Sequence, residues 1–193
     1  MAKLTGFKII NIAVFISGNG TNFKNLIKYS KKKSKYKINL VISDNSKAAG
    51  LIYAQKYKIK KKIVSYHNIK NSEKTILTEL QKNKIDLICL AGFMRILSHN
   101  FIKRFKGKII NIHPSLLPKY KGLNTHAKAI NNNDKFSGCT VHYVNSKLDS
   151  GRIILQKKVK IYKSDTAKKL AQRVLKQEHI LYPKALAKVL VSL

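Results

Sequence analysis

The sequence predicts an α/β fold, a mostly parallel twisted sheet flanked by helices, and three observations predict it. Apolar runs alternate with stretches of helical period through the first half of the chain. Those runs are apolar on both faces, as strands buried within a parallel sheet must be. Between the first run and the first helical stretch stands a glycine-rich turn, SGNGTN at residues 17–22, where such folds turn backbone N–H groups toward an anion.

The elements follow in order. An apolar run at residues 8–17, a helical stretch at 22–30 and a second run at 37–43 make one βαβ unit. A helical pattern at 47–57, a short strand at 61–65, a helix at 72–82 and a continuous apolar run at 85–91 continue the alternation. The second half changes character. A run at 107–113 ends in a polar, proline-bearing loop at 113–124, and loops of that length tend to carry function. Two further runs, at 138–144 and 152–161, are joined by the short segment 145–151. Residues 164–166 read as a helix start, and the helix is expected to reach Leu193 with a break at Pro183. Neither an internal repeat nor a linker divides the 193 residues, which are expected to form one domain, 1–193.

Composition narrows the function classes. No apolar stretch reaches the roughly 18 to 20 residues of a membrane span, so a membrane role is not expected. Lys3 and Lys8 before an apolar run resemble a secretory leader, but Asn11 interrupts the run and no small-residue cleavage site follows. Cys89 and Cys139 both lie in apolar, strand-like runs, where a buried free thiol is the default, and a cytoplasmic location is expected. The formal charge of +32 suggests a polyanionic partner. Of the 40 basic residues, however, only Arg95, Arg104, Arg152 and Arg173 are arginine, and the lysines spread over nearly every segment. Nucleic-acid readers use arginine forks and interleaved aromatic rings. Specific nucleic-acid binding is therefore not expected, and the lysine runs 31–33 and 60–62 are read as solvated helix ends or turns.

Three places carry chemistry. The 17–22 turn opens a helix and is an anion site by construction. As a dinucleotide fingerprint it is incomplete, because Phe23 takes the third glycine position, although Asp44 falls where a ribose-binding acid would sit. Asn111 and His113 are two apart at the end of a strand, so both project to one face and can reach one reacting atom. Asp149, one of only eight acidic residues, sits on a short loop with Ser150 and Gly151. If it reaches His113 it orients the ring and favours imidazolium; otherwise it is a turn former.

The segments SGNGTN (17–22), LAGFMRILS (90–98), NIHPSLLPKYKGLNTH (111–126), GCTVHYVNSKLDSGRIILQ (138–156) and QEHILYP (177–183) resemble the phosphoribosylglycinamide formyltransferase family over residues 12–186. The NIHPSLLP block with a downstream LD-x-G is specific for folate-dependent formyl transfer. The glycine loop narrows the likeness to the ribonucleotide enzymes. The resemblance implies a Rossmann-like formyltransferase fold and transfer of a formyl group from 10-formyltetrahydrofolate, as co-substrate, to the amine of 5-phosphoribosylglycinamide in de novo purine synthesis.

By position, it implies that Asn111, His113 and Asp149 are catalytic. Gly20, Thr21, Asn22, Gln177 and Glu178 contact the ribonucleotide. Met94, Arg95, Ile96 and Leu97, with Asn145, Ser146, Lys147, Leu148, Asn111 and Asp149, form the folate pocket. Two positions depart from the pattern: Glu73 and Lys74 stand near where the family often has an arginine for the folate tail, and Asn124 stands where GLHTH would place a histidine. The mechanism expected from these residues is attack by the amine on the formyl carbon, the oxyanion being met by the Asn111 amide and a protonated His113 that Asp149 keeps charged. The six histidines form no tight ligand cluster, and no metal is expected. The expected partners are small-molecule substrates, with a monomer or weak homodimer as the assembly. A methionyl-tRNA formyltransferase-like activity and a basic nucleic-acid-binding role remain the alternatives.

Overall fold

The structure, a computed structural model, describes residues 9–31 and 36–193. Lys3 and Lys8, on which the leader-like reading turns, lie outside the described residues, as do Lys32 and Lys33. Seven strands form one sheet: β1 (Ile10–Ile16), β2 (Tyr36–Ser43), β3 (Lys60–Ile63), β4 (Leu87–Leu90), β5 (Lys108–His113), β6 (Phe136–Tyr143) and β7 (Ile153–Lys160). Among the described residues six helices accompany them, none between β6 and β7: α1 (Thr21–Ser30), α2 (Leu51–Lys56), α3 (Ile69–Lys82), α4 (His99–Arg104), α5 (Thr125–Asn131) and α6 (Ala167–Leu190).

The spatial order is β3-β2-β1-β4-β5-β6-β7. β3 through β5 run parallel, whereas β6 and β7 pair antiparallel. The chain leaves β1 toward one edge through β2 and β3, then returns to β1's other side with β4. The resulting switch point lies between the carboxyl ends of β1 and β4, where open sheets of this kind form their ligand crevice.

Two apolar layers cover the sheet. On one side Ile12, Val14, Phe23, Leu26, Val41 and Tyr182 are among the residues packed between strands and the helices α1 and α6. On the other, Phe15, Ile42, Ile76, Leu80, Ile88 and Phe101 pack under α3 and α4. Cys89 and Cys139 are buried free thiols, and burial pushes each up to about 12. No helix among the described residues is long and apolar enough to cross a membrane.

Several elements differ from the sequence expectation. The helix expected at 47–57 begins only at Leu51, because the chain before it is pressed against the first loop. A Cβ on Gly20 would lie 2.7 Å from the Cα of Gly50, and Gly50 N donates to Gly18 O at 3.0 Å. Helix α3 starts three residues early, on Asn68, whose side chain accepts from Asn71 N. The short helices α4 and α5 give too brief a periodicity to stand out. Lys60 to Lys62 form an edge strand rather than a turn; lysines there discourage pairing with another chain, and Lys60 meets Glu79 at 3.1 Å.

Pro183 does not break α6. Its ring removes the N–H that His179 O would accept, and the side-chain amide of Asn25 on α1 donates to that carbonyl instead. The helix therefore continues, and Tyr182 beside the proline is fully buried with its hydroxyl donating to Leu90 O at 2.9 Å. This contact fixes α6 across β4 and carries Glu178, one turn earlier, toward the first loop.

Candidate active site

The cluster of Asn111, His113 and Asp149 is assembled where β5 meets β6. Asn111 pairs in register with His142, and His113 with Thr140, so these four side chains share pairing positions across two adjacent strands. Asn111 Nδ2 lies 3.3 Å from His142 Nε2. The other imidazole nitrogen of His142, Nδ1, is 2.8 Å from Tyr143 O. Because a carbonyl only accepts, Nδ1 carries the proton and Nε2 accepts from the Asn111 amide. That amide is thereby aimed, with its second N–H left to donate elsewhere.

Asp149 reaches the same cluster. Its Oδ2 is 3.3 Å from His113 Nδ1 and accepts from Gly122 N at 2.9 Å, while Oδ1 is 3.6 Å from His142 Nε2. The residue occupies the left-handed region at φ 45°, a conformation that aspartate tolerates better than most side chains. Gly151 makes the approach possible, since a Cβ there would sit 1.7 Å from Tyr143 O. The expected reach from Asp149 to His113 is thus present, and its turn is built around a glycine with no room for a side chain.

His113 is buried, and each ring nitrogen faces an acceptor: Nε2 is 2.8 Å from Tyr120 O, and Nδ1 faces Asp149. Even so, burial lowers its pKa below the ordinary 6.5; the Tyr120 carbonyl and Asp149 pull upward without overcoming burial, and His142 adds to the lowering. This corrects the expectation of a ring held charged. For Asp149 burial acts to raise the pKa, but the nearby His142 and His113 rings and the Gly122 hydrogen bond outweigh it and hold the carboxyl below its usual range. The resting pair is a carboxylate beside a neutral imidazole.

The loop between β5 and α5 is ordered by side chains of the neighbouring strands. Thr140 Oγ1 donates to Ser115 O at 2.6 Å and accepts from Leu117 N at 3.1 Å, and Gln156 Nε2 donates to Leu117 O at 2.7 Å. Tyr120 and Asn124 both have positive φ, 55° and 60°. Asn124 is the N-cap of α5, and asparagine is one of the non-glycine residues that tolerate that conformation.

The first loop lies at the switch point. Gly20 caps α1 at φ 64° with its carbonyl accepting from Lys24 N at 2.8 Å. Thr21 opens the helix, whose free N–H groups and dipole favour an anion. Asn22 is buried and its Nδ2 donates to Glu178 Oε2 at 2.7 Å. Burial raises the Glu178 pKa, only partly offset by Asn22. Asn22, Thr21, Gly20 and Glu178 thus come together, whereas Gln177 is partly exposed on the adjoining position of α6.

The remaining predicted residues form two exposed segments. Met94, Arg95 and Ile96 project outward after β4, and the Leu97 side chain is buried in the core cluster that includes Phe101. Asn145, Ser146, Lys147 and Leu148 are exposed. Asn145 Oδ1 accepts from Lys147 N at 3.0 Å, which shapes the turn leading to Asp149. Glu73 is buried, accepting from Ser98 N at 2.7 Å and from Ser98 Oγ, so it serves the start of α4 and is not available to a ligand tail. Asp44 spends both carboxylate oxygens on Ser17 and Arg95, which removes the ribose-binding acid that a dinucleotide site would need.

Residues 10–186 match the family described as formyl transferase. The chain belongs to that family. It is 44% identical over 176 residues to the phosphoribosylglycinamide formyltransferase of Haemophilus influenzae, covering 89% of this chain and 83% of that one. It is 41% identical over 183 residues to the human trifunctional purine biosynthetic protein adenosine-3, covering 93% of this chain but only 18% of the longer protein. The crystal structure of phosphoribosylglycinamide formyltransferase from Anaplasma phagocytophilum superposes with a TM-score of 0.89 at 43% identity, covering 96% of this chain and 89% of that one.

Within this formyl transferase chain, sequence reasoning missed His142, which sits between Asn111 and Asp149. The strand register that brings it opposite Asn111 is not written in local pattern; its place two residues after Thr140 in an apolar run was the only available signal. It also missed Tyr120 and Gly122, whose contacts are made by backbone atoms.

Proposed function

We propose that the chain transfers the formyl group of 10-formyltetrahydrofolate to the amine of 5-phosphoribosylglycinamide, giving N-formylglycinamide ribonucleotide, a one-carbon transfer of de novo purine synthesis. The observation that carries this reading is the convergence of Asn111, His113 and Asp149 at the same carboxyl edge of the parallel strands as a glycine loop that opens a helix. The phosphate binds the backbone of residues 17–22 at the start of α1. Glu178 and Asn22 meet the polar body of the ribonucleotide, with Gln177 at its margin. Met94, Arg95, Ile96 and Leu97, with residues 145–148, border the folate.

The chemistry follows from the protonation states. The amine attacks the formyl carbon, the new C–N bond forms, and the carbonyl oxygen becomes negative. Asn111, aimed by His142, donates to that oxygen. At rest the Nε2–H of neutral His113 donates to the Tyr120 carbonyl; as that carbonyl gives way the ring takes the tautomer with its N–H on Nδ1 beside Asp149, and Nε2 accepts the amine proton. The imidazolium so formed is stabilised by Asp149, as a carboxylate stabilises a working imidazole in acyl transfer. It then returns the proton to the folate nitrogen as the old C–N bond breaks, and tetrahydrofolate leaves. The reaction balances with no oxidant and no net proton. Two buried free thiols support a reducing cytoplasm as its compartment.

The test is a spectrophotometric assay with glycinamide ribonucleotide and 10-formyltetrahydrofolate. Saturable turnover that requires both substrates supports the assignment. Turnover only with an aminoacylated tRNA as acceptor would refute it and favour the sibling activity.

A further inference from the structure

We propose that Asp44 is a positioning residue that couples the ribonucleotide loop to the folate wall; this rests on the assignment of Arg95 to the folate pocket. The two segments are separated by 72 or more residues in sequence but leave adjacent strands, β1 and β4, at the switch point, and a compact hydrogen-bonded knot joins them. Ser17 N donates to Gly92 O at 2.9 Å. Ser17 Oγ donates to Asp44 Oδ1 at 2.5 Å and accepts from Met94 N at 2.8 Å. Asp44 Oδ2 accepts from Arg95 Nε at 2.6 Å. Asn45 Nδ2 closes the knot by donating to Ser17 O at 3.1 Å.

The burial of the partners is unequal, and that decides the direction of control. The Asp44 side chain is 5% exposed and the Arg95 side chain 50%. Asp44 is the fixed member, and Arg95, held by its Nε and half exposed, is the folate-wall cation. The guanidinium also lies 5.9 Å from the Tyr66 ring, which meets Phe93 edge-on at 5.7 Å. Arg95 is therefore held between a carboxylate and an aromatic face, and its direction depends on Asp44.

One carboxylate thus touches both segments: through Ser17 it holds the first residue of the phosphate loop, and through Arg95 it holds the folate wall. A displacement of either segment loads the same two hydrogen bonds, so each ligand biases the geometry presented to the other. Coupling of this kind is reciprocal. A purely structural carboxylate would change stability and both affinities together, whereas this arrangement predicts a specific loss of communication.

The experiment uses the full chain and its Asp44→Asn and Arg95→Ala variants. Two quantities are read: the KM for 10-formyltetrahydrofolate against kcat, and the Kd of glycinamide ribonucleotide by calorimetry with and without tetrahydrofolate, which has no formyl group to transfer. In the parent, tetrahydrofolate tightens ribonucleotide binding. In Asp44→Asn the folate KM rises about tenfold, the size expected for weakening a hydrogen bond to a charged group, while kcat changes little and the tightening disappears. If Asp44→Asn does not fold, Ser17→Ala, which cuts the bridge but leaves the Asp44–Arg95 pair, must still abolish the tightening. Parental folate KM and undiminished tightening in Asp44→Asn, with a raised KM in Arg95→Ala, overturn the inference alone. A parental KM in Arg95→Ala overturns the folate-wall reading and the inference with it. A parent without tightening overturns the coupling.

Discussion

The two halves of the site are built from different materials. On the proposed ribonucleotide side, the loop after β1 is shaped by absence: Gly20 adopts φ 64° against Gly50, and a Cβ has no room there. On the catalytic side, the cluster at β5 and β6 is shaped by presence: Asn111, His113, His142 and Asp149 hold one another through side-chain nitrogens and oxygens. The first half offers fixed backbone dipoles to a charge that does not change during the reaction. The second offers groups that exchange protons with a charge that appears and disappears. Substitutions should therefore separate binding from turnover according to the half they strike.

The largest separation is expected at Asn111. Replacing it by Ala removes the amide proposed to meet the oxyanion, and turnover should fall about 100- to 1,000-fold, the range for a single donor of this type. Calorimetry should find ribonucleotide affinity close to parental; an equal loss of both would place Asn111 in binding instead. Gly20→Val attacks the other half. Strain of about 1 to 3 kcal/mol at a non-glycine residue with positive φ, together with the clash at Gly50, should weaken ribonucleotide binding by an order of magnitude or more and leave folate binding largely intact. Matching losses for the two ligands would contradict the backbone assignment.

A smaller effect is expected from pH. His113, His126 and His179 are all lowered from 6.5, in each case chiefly by burial. Asp149 is lowered as well, by the nearby imidazoles and the Gly122 hydrogen bond, which outweigh its burial. Each group binds its proton more weakly in the folded chain than in the unfolded one. Stability is therefore fully present above 6.5 and declines as pH falls, first through the histidines and then through Asp149. Thermal melts from pH 8 to pH 4 should show Tm falling on the acid side, whereas a Tm rising toward pH 5 would reverse the sign. The smallest effect is at Thr166, whose side chain caps α6 by accepting from Lys169 N at 3.2 Å. Thr166→Ala should cost about 1 kcal/mol of stability and leave both KM values unchanged.

How much of this was legible in the sequence follows the same division. The parallel strands are continuous apolar runs, and the anion loop and the Asn111–His113 spacing are local patterns that can be read directly. The position of Asp149 was readable as scarcity beside a glycine, although its contact with His113 depends on a loop folding back. His142 and the Tyr120 carbonyl were not readable, because one depends on the register of two antiparallel strands and the other on backbone path. The sign of the His113 shift was missed for a related reason. A neighbouring carboxylate can be guessed from a motif, but the burial that outweighs it is a property of the packed structure. Pro183 looked like a break because the helix was considered alone, without the Asn25 amide that replaces the missing donor.

The most direct test of the account is the pH dependence of turnover in the parent and in Asp149→Asn, with His113 followed by NMR in both. A neutral His113 acting as the proton acceptor predicts that parental turnover is level above 6.5 and falls as pH drops through the lowered His113 value. Asp149→Asn keeps the size but removes the charge that pulls His113 upward, so turnover should collapse while ligand binding is nearly preserved, and the acid limb should move to lower pH together with the His113 titration. Near-parental turnover in Asp149→Asn with an unmoved His113 titration would contradict the account and reduce Asp149 to a turn residue.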